Sequence, residues 1–371
     1  SRDAIQASVD VDTGTQGRSE FGEDEDASAS ADLFGSFSVV WPVDVSGRVE
    51  NQVAAARAEV EGASAALRGV ILAVSADVTS EYLRLRGNQR QLALLKESVE
   101  LQKQTLAIVQ SRYEAGLAPE LDLKRAEAAV ASLQADIPPL EEKLINSRNR
   151  LATLTGHFPG KYEKLLKEEK GIPTYQSQIP TMLPMRVLTL RPDIRQAEAE
   201  LKRAVAEIGV AEAEWYPTVQ LIKQMRLGTT GISEGPTLGI LVGSIGVLIQ
   251  QVLSDGGARE AQLAIAESQA KETLARYREN LIVAMEEVEF SLAALASSLD
   301  RQKSLAQAVE ASNRSFFQAE SLYRQGLTSF IDVVDAQRVL ASAQQKLASA
   351  KTNYASQIAH LFYVLGTDVT L

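Results

Sequence analysis

Two aspartates, Asp332 and Asp335, stand three residues apart just beyond the dipeptide Gly326-Leu327. On a helix that spacing puts both carboxylates on one face, where they could hold a cation or share a proton. The same residues fit a plainer role. Ser329 precedes Asp332 by three, the spacing of a helix cap, and acids near a helix N-terminus stabilise it by about 0.3–1 kcal/mol. Nothing else in the 371 residues gathers reactive groups. There is no cysteine, hence neither a disulfide framework nor a thiolate metal site, and His157 and His360 are the only histidines. No nucleophile, base or metal-ligand spacing stands out, so neither an enzyme nor a cofactor is expected.

The aspartates follow a break between two very long segments. From Ala258 to Gln325, and again from Leu327 to Leu365, there is neither Gly nor Pro. Leu263, Ala266, Ala270, Leu274, Tyr277, Leu281, Ala284 and Val288 recur at steps of three or four, a helical stripe. A helix from Ala258 to Leu322 would be about 95 Å long, more than a compact domain needs.

The hairpin occurs twice. Tyr113-Glu114-Ala115-Gly116-Leu117, followed by Asp122 and Ala126, matches Tyr323-Arg324-Gln325-Gly326-Leu327, followed by Asp332 and Ala336, at an offset of 210 residues. Gly47 and Gly257, Val78 and Val288, and Gly156 and Gly366 keep the same register. The chain is therefore two large halves of one body rather than a short-period array. Apolar residues make up 45% and charged residues 23%, which excludes disorder, while the 5% of aromatics points to helices packed on small side chains. A net charge of -10 argues against nucleic acid as a partner.

In chain order, residues 1–46 form a first β-hairpin. Ile5, Ala7, Val9 and Val11 alternate with polar residues, and so do Phe37, Val39, Trp41 and Val43. Between them, Glu20 to Asp26 reads as an acidic exposed loop. Residues 47–156 form the first long helical hairpin, with Gly116 at its tip and Pro119 in the first turn of the return helix. Gly62, Gly69 and Gly87 each cost about 1 kcal/mol inside a helix, which close packing would offset. Pro138-Pro139 predicts a kink or a restart at Leu140. Residues 157–190, rich in Pro and Gly, connect the halves. Residues 191–216 form a helix ending near Trp215, and residues 217–253 a second β-hairpin. That hairpin has a strand at Val219 and Leu221, a turn from Gly228 to Pro236, and the most apolar stretch of the chain, Leu238 to Ile249. This stretch falls short of the ~20 residues of a spanning helix but exceeds the ~10 of a barrel strand. Residues 254–371 form the second helical hairpin. Trp41, Trp215 and Tyr216 sit where interface aromatics or core packing would put them.

Four strands cannot close a barrel that removes its own edges, and lipid forbids open ones. Membrane strands would therefore be shared among chains, and three chains give twelve. A soluble coiled-coil scaffold is the alternative of a different class; the long stripes fit it and the four strands do not.

Several separated motifs carry a resemblance. Arg191-Pro192-Asp193-Ile194 leading into Ala197 to Leu201, Trp215-Tyr216-Pro217, Ser254-Asp255-Gly256-Gly257 and both Tyr-x-x-Gly-Leu-x-x-x-x-Asp tips resemble the TolC-like outer membrane factors, in particular the multidrug-efflux branch. The resemblance implies a mainly α fold with a membrane β-barrel. It implies a homotrimer with a twelve-stranded barrel in outer-membrane lipid, four strands per protomer, continued by a coiled-coil tunnel across the periplasm. It also implies a passive exit duct that works with a periplasmic adaptor protein and an inner-membrane transporter of the RND, MFS or ABC kind. The duct of a type I protein secretion system shares the fold and stays open as an alternative. In this family a helical segment precedes the first strand, so upstream residues, including a signal peptide and any lipid-bearing Cys, are expected before Ser1.

Asp332 and Asp335 match the aspartates that constrict the periplasmic entrance of the family. Six carboxylates in a trimer would make a charged ring that is cation-selective, binds cations and is blocked by multivalent ones. Asp122, Lys124, Arg125 and Tyr323 are read as ties holding the mouth closed. Gly116, Leu117, Gly326 and Leu327 match the adaptor-facing tips. The family's bridging arginine, two residues past the second tip glycine, is Thr328 here.

Overall fold

The computed structural model describes residues 6–16, 30–175, 191–231 and 238–367. The acidic loop Glu20 to Asp26, the connector from 176 to 190 and most of the turn before Leu238 lie outside them. Ten elements follow in order: β1 (Gln6–Gln16), β2 (Ser30–Val43), α1 (Arg48–Glu114), α2 (Glu120–Ala135), α3 (Ile137–Leu154), α4 (Pro192–Ala213), β3 (Thr218–Gly231), β4 (Leu238–Gln250), α5 (Ala258–Arg324) and α6 (Phe330–Val364). The duplication is kept to the residue in the helices. α1 and α5 have 67 residues each, and both open after a glycine of positive φ, Gly47 and Gly257.

The chain divides into two compact units. One comprises 1–64 and 196–278 and holds the sheet; the other comprises 65–195 and 279–371 and holds both hairpin tips. In the first unit the strands run antiparallel in the order β1-β2-β3-β4, so among the described residues β1 and β4 each have a neighbour on one side only. The register puts Trp41 opposite Leu221, and Leu221 opposite Val247; one step further, Val39 faces Lys223, and Lys223 faces Ile245. Side chains alternate across a sheet, so Phe37, Trp41, Leu221, Met225, Val247 and Ile249 share one face. The opposite face carries Ser36, Ser38, Gln220, Gln224, Arg226 and Ser244. The strands run further than the apolar pattern predicts. β1 reaches Gln16 and β2 begins at Ser30, because backbone pairing continues (Gln16 with Ser30) where alternation has stopped. β3 likewise continues to Gly231, where the sequence suggested a turn from Gly228.

In the second unit the helix glycines have an evident purpose at Gly87. A Cβ there would collide with the side chain of Thr352 on α6, so the backbones of α1 and α6 approach at the expense of helix propensity. The return helix breaks at Asp136 and restarts at Ile137, just before Pro138-Pro139, rather than at Leu140. Both prolines then lie in the first turn of α3, where N–H groups have no helical acceptor to lose. The α2–α3 break has no counterpart in α6, which runs 35 residues uninterrupted. Leu85, Leu151 and Leu166 form a core beside Tyr82 and Tyr162. There the segment after α3 is pinned to α1: Arg86 donates to Gln89 Oε1 (2.8 Å) and to Glu168 O (2.5 Å), and Gln89 Nε2 donates to Leu166 O (2.8 Å).

Candidate functional site: the paired hairpin tips

Both tips end their first helix in the same way. The Gly116 N–H donates to Tyr113 O and the Leu117 N–H to Arg112 O, at 2.9 and 2.7 Å. Gly326 and Leu327 repeat this on Tyr323 and Leu322, both at 2.9 Å. This six-to-one closure needs a left-handed residue, and φ is +70° at Gly116 and +78° at Gly326. Each closure leaves a leucine outside, with Leu117 67% and Leu327 69% exposed.

Behind the tips, α1, α2, α5 and α6 share one core of Val109, Ala126, Phe316, Tyr323, Phe330, Val333 and Leu340. The core fixes the face that the aspartates present. Phe330 and Val333 are buried, so Asp332 and Asp335 fall on the exposed side of α6. The structure brings Asp332 into a cap: its Oδ2 accepts from the Ser329 N–H (3.1 Å), the Ser329 hydroxyl (2.6 Å) and the Thr328 hydroxyl (2.6 Å). The Ser329 and then the Thr328 hydroxyl hold its carboxyl below the usual carboxylate range, so it stays ionised. Asp335 is exposed and has no partner among the described residues. No group of three or more His, Asp or Glu that could hold a metal occurs among the described residues.

Two basic residues of the first tip lie beside acids of their own helix. Arg125 Nη1 lies 3.9 Å from Asp122 Oδ1, and Lys124 Nζ lies 3.0 Å from Glu127 Oε2. Within one chain neither basic residue bridges helices. The bridge that does cross is Arg112, which sequence reasoning missed. Its Nη1 donates to the carbonyls of Tyr323 (3.1 Å) and Arg324 (3.3 Å), and its guanidinium lies 5.0 Å from the centroid of the Tyr323 ring. The last carbonyls of α5 are unsatisfied within the helix and carry partial negative charge, so a cation suits them. The repeat held the signal, since the counterpart of Arg112 is the apolar Leu322. Tyr323 is 4% exposed against 40% for Tyr113, and burial pushes its phenol up.

Duplicated long helical hairpins joined to a four-stranded antiparallel sheet define the fold of the TolC-like outer-membrane channels. The chain belongs to the outer membrane efflux protein family, whose model matches residues 4–157 and 183–367. It is similar to nodulation protein T of Rhizobium leguminosarum bv. trifolii, 30% identical over 334 residues, 90% of this chain and 71% of that protein. It is also similar to the solvent efflux pump outer membrane protein SrpC of Pseudomonas putida, 28% identical over 327 residues, 88% of this chain and 69% of that protein. Among solved structures, the outer-membrane channel OprN superposes with a TM-score of 0.85 at 29% identity, covering 98% of this chain and 81% of that one. VceC of Vibrio cholerae shares the fold with a TM-score of 0.84 at 23% identity, covering 98% of this chain and 87% of that one. Membership places the protein in the outer membrane of a Gram-negative bacterium, extending into the periplasm. It sets aside the soluble-scaffold alternative.

Proposed function

We propose that three copies of this chain close one twelve-stranded barrel, and that the assembly is the exit duct of a tripartite efflux system, passing drugs or other small molecules without chemistry of its own. The observation that carries this reading is the sheet, whose β1 and β4 edges are unpaired among the described residues and whose one face is apolar. In lipid an open edge leaves N–H and C=O groups without partners, at several kcal/mol each on the usual scale of about 2–7. The β4 of one copy beside the β1 of the next removes that cost. The helices support the same assembly: Leu67, Val70 and Ile71 of α1 and Phe290 of α5 are 61, 60, 54 and 69% exposed in a single chain, surface that neighbours would cover.

Asp332 and Asp335 then ring the periplasmic mouth, with Arg112 and Tyr323 holding the two hairpins of each protomer together beside it. Leu117 and Leu327 offer the apolar contact to a periplasmic adaptor, which links the duct to an inner-membrane RND, MFS or ABC transporter. Relatives named for solvent and cation efflux favour small solutes over secreted proteins. Conductance in planar bilayers tests the mouth. A small, cation-selective conductance blocked by trivalent cations from one side is expected. Replacing both Asp332 and Asp335 by Ala should weaken that block at least tenfold, and unchanged block would remove these residues from the gate.

A further inference from the structure

Lys223 stands on the apolar face of the sheet. Its neighbours across the strands are Val39 and Ile245, and no described residue forms an ion pair or hydrogen bond with its ammonium. A lysine that blunts an open edge would be unremarkable, but β3 is paired on both sides along this stretch. A bare ammonium on a lipid-facing surface is destabilising in a depth-dependent way, and such a residue needs a partner.

The register says where the partner lies. The strand ends at Val43, Thr218 and Gln250 lead into the helices and so face the periplasm. Trp41 lies one row nearer that end than Lys223, on the same face and diagonal to it, and is 40% exposed. Aromatic residues at this level mark the membrane–water interface. One row is about 7 Å along a strand, or about 5 Å along the normal of a tilted barrel, within the reach of a lysine stem. The ammonium can therefore extend past Trp41 to the headgroups of the periplasm-facing leaflet while its methylenes stay in hydrocarbon.

We propose that Lys223 and Trp41 form a binding site for the phosphate of an anionic phospholipid of that leaflet, with the ammonium pairing the phosphate and the indole N–H donating to it. One such site per protomer would give three around the barrel. The proposal rests on this sheet facing lipid. The test is native mass spectrometry of the full chain purified from equimolar phosphatidylglycerol and phosphatidylcholine. Wild-type protein should retain phosphatidylglycerol about fivefold over phosphatidylcholine, the discrimination one basic residue supplies at an anionic surface. Lys223→Gln should bring the ratio to about one with the oligomer intact, and Trp41→Phe should lower it in part. A wild-type ratio near one, or a preference surviving in Lys223→Gln, would overturn the site and leave the barrel standing. Protein that holds neither lipid would overturn the barrel reading, and the site with it.

Discussion

The two hairpin tips began as one design and differ at a few positions, among them Arg112 against Leu322, Pro119 against Ser329 and Arg125 against Asp335. Both turn on a left-handed glycine and leave a leucine exposed, and both carry an aspartate at the third position of the return helix. The first tip has Pro119 where the second has Ser329. Proline has no N–H and no side-chain hydroxyl to offer, so Asp122 turns to Arg125 on its own helix, at the long distance of 3.9 Å. In the second tip Ser329 and Thr328 draw Asp332 into the cap and keep it charged. One repeat thus sets its acid near an arginine of the same helix. The other keeps its acid ionised and adds Asp335 a helical turn further on. The comparison teaches that exchanging one capping residue in a duplicated scaffold changes what the equivalent aspartate pairs with.

Arg112→Ala should have the largest effect on this arrangement. It removes charge-assisted bonds to two carbonyls and the contact with the Tyr323 ring, a loss of about 2 kcal/mol. The variant is expected to melt at lower temperature and, with the hairpins released from one another, to show a raised and noisier conductance. A conductance identical to wild type would mean that Arg112 braces the tip without holding the mouth.

Ser329→Pro converts the second tip into the first and should cost about 1 kcal/mol, the value of a helix cap. The φ of Ser329, -81°, already suits proline, so strain does not cloud the result. Its sharper signature is in pH. Asp332 is held below its ordinary range in the folded state, so its capping contribution is fully present above the unfolded carboxylate pKa and is lost as pH falls through the lowered value. Block by multivalent cations should therefore fail at a higher pH in Ser329→Pro than in wild type. Coincident pH profiles would separate the cap from the ring.

Much of this was legible in the sequence because the duplication is so regular. A stretch of about 65 residues without Gly or Pro and with apolar residues at steps of three and four reads as a long helix, and glycines 210 apart marked both helix starts, both tips and both ends. The aspartate face followed from spacing alone, and so did its competing role as a cap. What stayed hidden depended on contacts between distant residues. Arg112 looks like one more basic residue near a helix end until Tyr323 and Arg324 are brought beneath it. Lys223 sits in an apparently alternating strand, and its face becomes plain only when the register with Val39 and Ile245 is known. The polar ends of β1 and β2 were missed because backbone pairing needs no apolar pattern.

The smallest effect separates the two tyrosines that open the tips. Tyr323 is buried, and among the described residues its hydroxyl makes no hydrogen bond of good geometry. A buried unsatisfied hydroxyl costs free energy that a phenylalanine would not. Tyr323→Phe should therefore leave stability unchanged or raise it by up to about 1 kcal/mol, while keeping the ring under the Arg112 guanidinium. Tyr113→Phe, at an exposed position, should do nothing to the melting temperature. If Tyr323→Phe instead destabilises the protein and raises conductance as Arg112→Ala does, the hydroxyl is engaged in the closed assembly. Tyr323 would then belong among the ties of the mouth through its oxygen and not only through its ring.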